Sequence, residues 1–421
     1  MPKVNCSKPA IVLGAALAAA LLATASAQAY TEKTLFSFCD VRHGCRDGGY
    51  PEGGVVIDSA GNLFGVTSSG GENNAGVAYE FVQSSGQYSI IYNFCSVYGC
   101  TDGRGPGRVN LVIDTQGNLY GTTSEGGNEN NGVVFELVRS NAYQEQTLYA
   151  FCPRKHCRHD GSTPRDGLTY AGAASGQLYD GTSPLYGTTV FGDTGGIVFS
   201  VTPKDGTRQV LYRFCSQTNC VDGNEPDTPL YIDSLANIYG TTLMGGASNR
   251  GVVFELTPKG SGYTESVLYS FCAQTNRADG ETPDGGVVMD TAGNLYGTAE
   301  AGGDSSGDGV IFELTPNGSQ WQYSDLENFD GADGSYPGAL TIDANRNLFG
   351  TTIAGGSRDK GTVFEFNGSI QSLYSFCAEK GCADGSKPSS GVVEDSAGNL
   401  YGTTTDRTEL KPSGTLFELS P

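Results

Sequence analysis

The chain repeats itself seven times, and nothing else in it constrains the fold as strongly. Leu-Tyr-Gly-Thr or a close variant stands near 63, 119, 185, 238, 295, 348 and 400, so the step from Leu63 to Leu119 is 56 residues. A Val-Phe-Glu-Leu segment recurs near 77, 133, 197, 252, 310, 362 and 415. A Leu-Tyr-Ser-Phe-Cys segment recurs near 35, 91, 148, 211, 268, 326 and 373. A unit of this size cannot bury its apolar face alone, and neighbouring copies supply the missing core. Each unit holds four short runs rich in β-branched and aromatic residues, divided by Gly, Asp, Asn and Ser, which reads as four antiparallel strands. The Asp-x-x-Gly-Asn at Asp58–Asn62 and Asp114–Asn118 reads as a tight hairpin. Its Gly supplies a positive φ, and its Asp bonds the backbone two residues on.

Closure separates a ring from a linear solenoid. The chain opens on a lone fourth strand, Thr34 to Cys39. It ends on a third strand, Gly414 to Leu419, after a first at Gly391–Val393 and a second at Leu400–Thr404. Joining the two ends completes a seventh unit and removes two exposed sheet edges. The expected fold is therefore all-β, a seven-bladed β-propeller with four antiparallel strands per blade, closed by the N-terminal strand and filling 30–421 as one domain. Strand phase places the long inter-blade loops and the Gly-Gly loops on one face, and the short hairpins on the other.

Residues 1–29 read as a secretory signal: Lys3 and Lys8, an apolar run from Ile11 to Ala25, then a small-residue cleavage site. The run is short for a membrane span and no second one follows, so the expectation is a secreted chain, extracellular or periplasmic, with no transmembrane segment. Loss of the two lysines moves the formal charge from −21 to −23. That balance disfavours nucleic acid and anionic membranes as partners.

Beyond Cys6, ten of the eleven remaining cysteines form local pairs: Cys39/Cys45, Cys95/Cys100, Cys152/Cys157, Cys215/Cys220 and Cys377/Cys382. In an exported chain these read as five disulfides. Zinc is the alternative, but each loop offers only two thiols. Asp330 replaces the first Cys of the sixth blade's loop, and the second is missing with it. Cys272 lacks a partner because Arg277 holds that place, so it reads as a free thiol or a point of intermolecular pairing in an otherwise monomeric protein.

Each pair is followed by Asp-Gly, and the full set is Asp47, Asp102, Asp160, Asp222, Asp279, Asp333 and Asp384, each with Pro three residues after the Gly. Seven such loops could bind calcium through carboxylate and carbonyl oxygens; an ordinary turn is the plainer reading. The only histidines are His43, His156 and His159, the last two in a basic Cys loop. Glu80, Glu136, Glu255, Glu313, Glu365 and Glu418 follow the third-strand aromatic, and a residue kept in nearly every blade serves the blade. No nucleophile elbow, phosphate loop or zinc-protease motif is present, so no catalytic residue is assigned and no cofactor is expected beyond possible calcium. Trp321 stands alone, which excludes a sugar platform of several tryptophans.

The unit, seen almost whole at Asn237–Pro258, resembles the bacterial GloVer (Gloeo-Verruco) tandem repeat over essentially all of 34–421. That resemblance implies an exported repeat protein of the choice-of-anchor group, with no established activity and no catalytic residues to carry over. The chain departs from it by ending at Leu419-Ser420-Pro421 without a recognisable C-terminal anchor. One hairpin also looks like that of NHL and gluconolactonase-type propellers. The expected function is a non-enzymatic binding or scaffold module for a glycan or protein. A calcium-dependent enzyme on a lactone or polysaccharide, and a structural envelope component, are the alternatives.

Overall fold

The computed structural model describes residues 30–39, 44–152, 158–405 and 414–421. The signal segment, His43, His156 and Cys157 lie outside them. Seven four-stranded antiparallel sheets form the ring. Blade one holds β2 (Val56–Ile57), β3 (Leu63–Thr67), β4 (Val77–Val82) and β5 (Gln87–Asn93) in that order. Blades two to six span 112–150, 169–213, 231–270, 287–328 and 335–375. The seventh takes β1 (Thr31–Ser37) beside β28 (Thr415–Ser420), β27 (Leu400–Thr404) and β26 (Val393–Glu394), so the N-terminal strand closes the ring.

The repeated motifs explain one another. Gly121 lies opposite Phe135 on the next strand, and a Cβ there would stand 2.6 Å from the ring's Cζ. At Gly240 the distance to Phe254 Cζ would be 2.7 Å. Only glycine leaves the third-strand ring room to lie across the second strand. That buried ring then receives, edge-on, the phenylalanine ending the previous blade's outer strand. Phe94 meets Phe135 at 5.1 Å, Phe214 meets Phe254 at 4.9 Å, and Phe376 meets Phe417 at 5.1 Å. At the seam Phe38 meets Tyr79, also at 5.1 Å. Edge-to-face pairs of this kind add about 0.5–1.5 kcal/mol to what burial supplies.

A second junction involves the repeated proline. Gly251, before a third strand at φ 96°, would carry a Cβ 2.6 Å from Pro283 Cδ of the next blade's loop. Gly414 and Pro51 repeat the contact at the seam, 2.7 Å apart on the same measure. The leucine of Leu-Tyr-Ser-Phe-Cys has its own cause. It is the extra residue of a β-bulge in the outer strand, as at Leu148, which Val134↔Tyr149 and Phe135↔Thr147 leave unpaired. A bulge there increases the local twist of the outer strand. The third-strand glutamates serve their own blade: Tyr120 donates to Glu136 and Tyr239 to Glu255, both at 3.0 Å.

Loop placement follows. Gly49 pairs with Ser69, and Gly71 N–H donates to Cys45 O, so inter-blade and Gly-Gly loops share one face. Blade three differs on the opposite face, where its first hairpin is enlarged and Tyr179 is buried against the Asp114 turn of blade two.

Phe214→Ala empties one inter-blade junction. It is expected to cost about 3–5 kcal/mol, read as a lowered midpoint in denaturant unfolding. Tyr98→Ala, at a fully exposed loop residue, is expected to leave the midpoint unchanged.

Candidate functional site at the channel mouth

Disulfides join Cys39–Cys45, Cys95–Cys100, Cys215–Cys220 and Cys377–Cys382. For the Cys152/Cys157 pair, Cys157 is outside the described residues. Cys272 is free and half-buried.

The Asp-Gly carboxylates are tied into these loops. Asp102 Oδ2 accepts from Ser96 N–H at 2.7 Å and Tyr92 O–H at 2.7 Å, and Oδ1 from Val97 N–H at 3.3 Å. Asp222, Asp279 and Asp384 accept from the equivalent tyrosine and loop amides, and all three are wholly buried. Asp160 accepts from Tyr149, Cys152 N–H and Arg208. Asp333 Oδ1 accepts from Asp330 N–H at 3.0 Å, and Asp47 receives Tyr88 O–H on its carbonyl at 2.7 Å. His159 is mostly exposed and pairs with Asp193. Among the described residues no group of three or more His, Cys, Asp or Glu is placed to hold a metal ion. Trp321 packs on Tyr239.

Next to these aspartates the next blade's outer strand offers one variable residue, seven before the loop's first Cys. It is Glu32, Glu145 and Glu265 in three blades and Arg208 in another. Burial pushes each of these half-buried glutamates up to about 7; Asp384, Asp102 and Asp222 push the same way, while bonds from Thr34, Thr147 and Tyr212 oppose.

The blades stop being equivalent on the ring axis. The residues that follow the repeated proline are Glu52, Gly107-Arg108, Arg165-Asp166, Asp227, Asp284, Gly338 and Ser389. A narrow waist of about 30 Å³ is lined from all seven blades, from Glu52 and Arg108 round to Ser389, which places it on the axis. Above it, on the loop face, opens a cavity of about 600 Å³ with Arg104, Arg108, Arg165, Asp227, Asp284 and Glu300 in its wall. Below it lies an apolar cavity of about 250 Å³ walled by Val55, Val287, Leu340 and Val392.

Two ion pairs cross the mouth. Arg108 of blade two reaches Asp284 of blade five at 2.5 Å, and Arg165 reaches Asp227 at 3.4 Å. Burial opposes the Arg108 charge, yet Asp284 holds the guanidinium above its ordinary value, helped by Asp166 and Asp227. Burial and then Asp227 push Asp166 well above the usual carboxylate range, against Arg108. Burial also raises Asp284, against Arg108, and Glu300, where Asp284 adds to it. These residues are hidden in the sequence because they do not repeat. Their signal is a position after an invariant proline where charge changes from blade to blade.

A ring of repeated blades with one charged, non-repeating axial cavity defines a repeat-built β-propeller. The Gloeobacter/Verrucomicrobia repeat matches residues 22–184, 173–323 and 266–421, and the chain belongs to that family. No curated protein matches it in sequence. Among solved structures it is similar to PorZ, described as an essential bacterial surface component of the type-IX secretion system of Porphyromonas gingivalis. The TM-score is 0.52 at 13% identity, covering 85% of this chain and 45% of PorZ. The chain thus spans under half of that protein, and the likeness is one of fold. The family and the disulfides fit an extracellular or envelope module. Among the described residues no helix is long and apolar enough to cross a membrane.

The glutamates generate a pH test. Their folded values near 7 lie above the ordinary 4.5, so the folded chain holds these protons more tightly. The stability this contributes is present below pH 4.5 and is lost as pH rises through about 7. Glu32→Gln/Glu145→Gln/Glu265→Gln is expected to flatten the fall in melting temperature between pH 5 and pH 8, and to melt higher than wild type at pH 8.

Proposed function

We propose that the chain is a non-enzymatic, exported binding module whose ligand enters the channel mouth from the loop face. The observation that carries this reading is the cavity of about 600 Å³, walled by charged residues that no other blade repeats. A ring of equal blades needs no such asymmetry for its own stability. Carboxylates and guanidiniums are costly to desolvate, and here they converge on one open space. Four of the loops that run to this face are closed by disulfides next to their outer strands. Fold alone does not select a ligand, so the assignment rests on the site.

A second reading has one observation in its favour. Burial and Asp227 raise the Asp166 carboxyl above the ordinary carboxylate range, the direction a general acid requires. An enzyme on a lactone or polysaccharide, with calcium at the Asp-Gly loops, would show turnover that EDTA abolishes. No turnover with or without calcium removes that reading.

The melting temperature of the purified chain, with soluble polysaccharides, peptides, calcium or EDTA, tests the module. A ligand present at a hundred times its Kd stabilises the native state by about 2.7 kcal/mol. The expected result is a rise with one ligand class that Asp284→Asn removes. A rise that survives Asp284→Asn puts the site elsewhere, and no rise with any class leaves a structural envelope component.

A further inference from the structure

The channel mouth is short of hydrogen-bond donors on one side. Blades two and three bring the guanidiniums, Arg104, Arg108 and Arg165, and blades four and five bring Asp227, Asp284 and Glu300. After the two ion pairs form, Oδ1 of Asp227 and Oδ1 of Asp284 are still without a donor, although both atoms are buried. Asp227 as a whole is only 3% exposed. Among the described residues no hydrogen bond or ion pair holds the Glu300 carboxylate, whose nearest charged neighbours are Asp284 and Arg108. With Glu52 and Glu125 the wall carries five carboxylates against three arginines, a formal charge of −2. Buried carboxylate oxygens without donors are costly, so the cavity favours a ligand that supplies donors and positive charge.

We propose that the channel mouth binds a protonated amine, an aliphatic ammonium group carried on a small ligand or a basic side chain. This rests on the mouth being the binding site. An ammonium offers N–H donors and no acceptor, so a ligand carrying one or two such groups can serve the unserved oxygens of Asp227, Asp284 and Glu300 singly. The fit to a bare metal ion is poorer, because no three acids among the described residues stand close enough to share one. An anionic ligand would find Arg104 already 3.7 Å from Glu125, and could take Arg108 and Arg165 only by stranding the buried Asp284 and Asp227. A cation leaves both pairs intact. At about 600 Å³ the cavity is within the usual range of small-molecule sites. The acidity of the whole chain, −21, attracts the same ligands from a distance.

Isothermal titration with 1,5-diaminopentane, 1,5-pentanediol and glutarate separates cationic, neutral and anionic ligands of one length. The diamine is expected to bind, and the diol and diacid to bind about tenfold more weakly or less, the loss of a charge-assisted hydrogen bond. Glu300→Gln should weaken diamine binding by about tenfold or more on the same ground. Its melting temperature should not fall below the wild-type value, because Glu300 is partly exposed and holds no partner. Asp227→Asn should act in the same direction. Equal binding of diol and diamine, or diamine binding untouched by Glu300→Gln, overturns the amine assignment. If an amine-free glycan raises the melting temperature and Asp284→Asn removes the rise, the binding module stands and the amine assignment fails. If no probe binds in the mouth, both fail.

Discussion

Everything in this molecule depends on one ring-to-ring contact made at each blade junction. The third-strand aromatic can lie across the second strand only because that strand has glycine beneath it, and its face then accepts the edge of the previous blade's phenylalanine. A junction of this kind fixes distance and angle together. Repeated seven times, the same step returns to its start. The seam is no special clasp, since β1 and β28 carry the bulge seen in the other blades, and Phe38–Tyr79 and Gly414–Pro51 reproduce the standard contacts. Closure by an ordinary copy leaves the seventh sheet with only the short edges that the other six have.

A ring built from equal steps has a consequence for chemistry. Any residue demanded by the step must recur, so a residue that does not recur is free of that demand. The position after the invariant proline is such a place. It lies on the axis, where seven backbones converge and side chains from opposite blades meet. Arg108 and Asp284 stand 176 residues apart in the chain and bond across the channel. Only closure brings them together. That pairing also sits at the waist, so the charged mouth above is held apart from the apolar cavity beneath.

This division explains what could be read from the amino acids alone. Strand count, blade order, the closing strand and the loop face were legible because each follows from period, turn chemistry and chain direction. The axial site was not. Arg165, Asp166, Asp227 and Asp284 sit at similar offsets in their units, but nothing local says that those offsets point at one another. The Asp-Gly aspartates were the more visible candidates because they recur. Their recurrence has a structural cause, since Asp102, Asp160, Asp222, Asp279 and Asp384 each tie the loop after an outer strand to that strand's tyrosine.

The two sets of acids show that burial alone does not mark a functional carboxylate. Asp102 and Asp227 are almost equally inaccessible, at 1% and 3% exposure. Asp102 takes two amide donors and a phenol, along with the Ser96 hydroxyl, so its charge is solvated by its own loop. Asp227 has one long guanidinium contact on one oxygen and nothing on the other. A carboxylate given its donors by the fold has little left to offer a ligand, whereas one left short keeps an unmet demand inside an open cavity. Among the seven blades that shortfall is concentrated in the fourth and fifth, facing the arginines of the second and third.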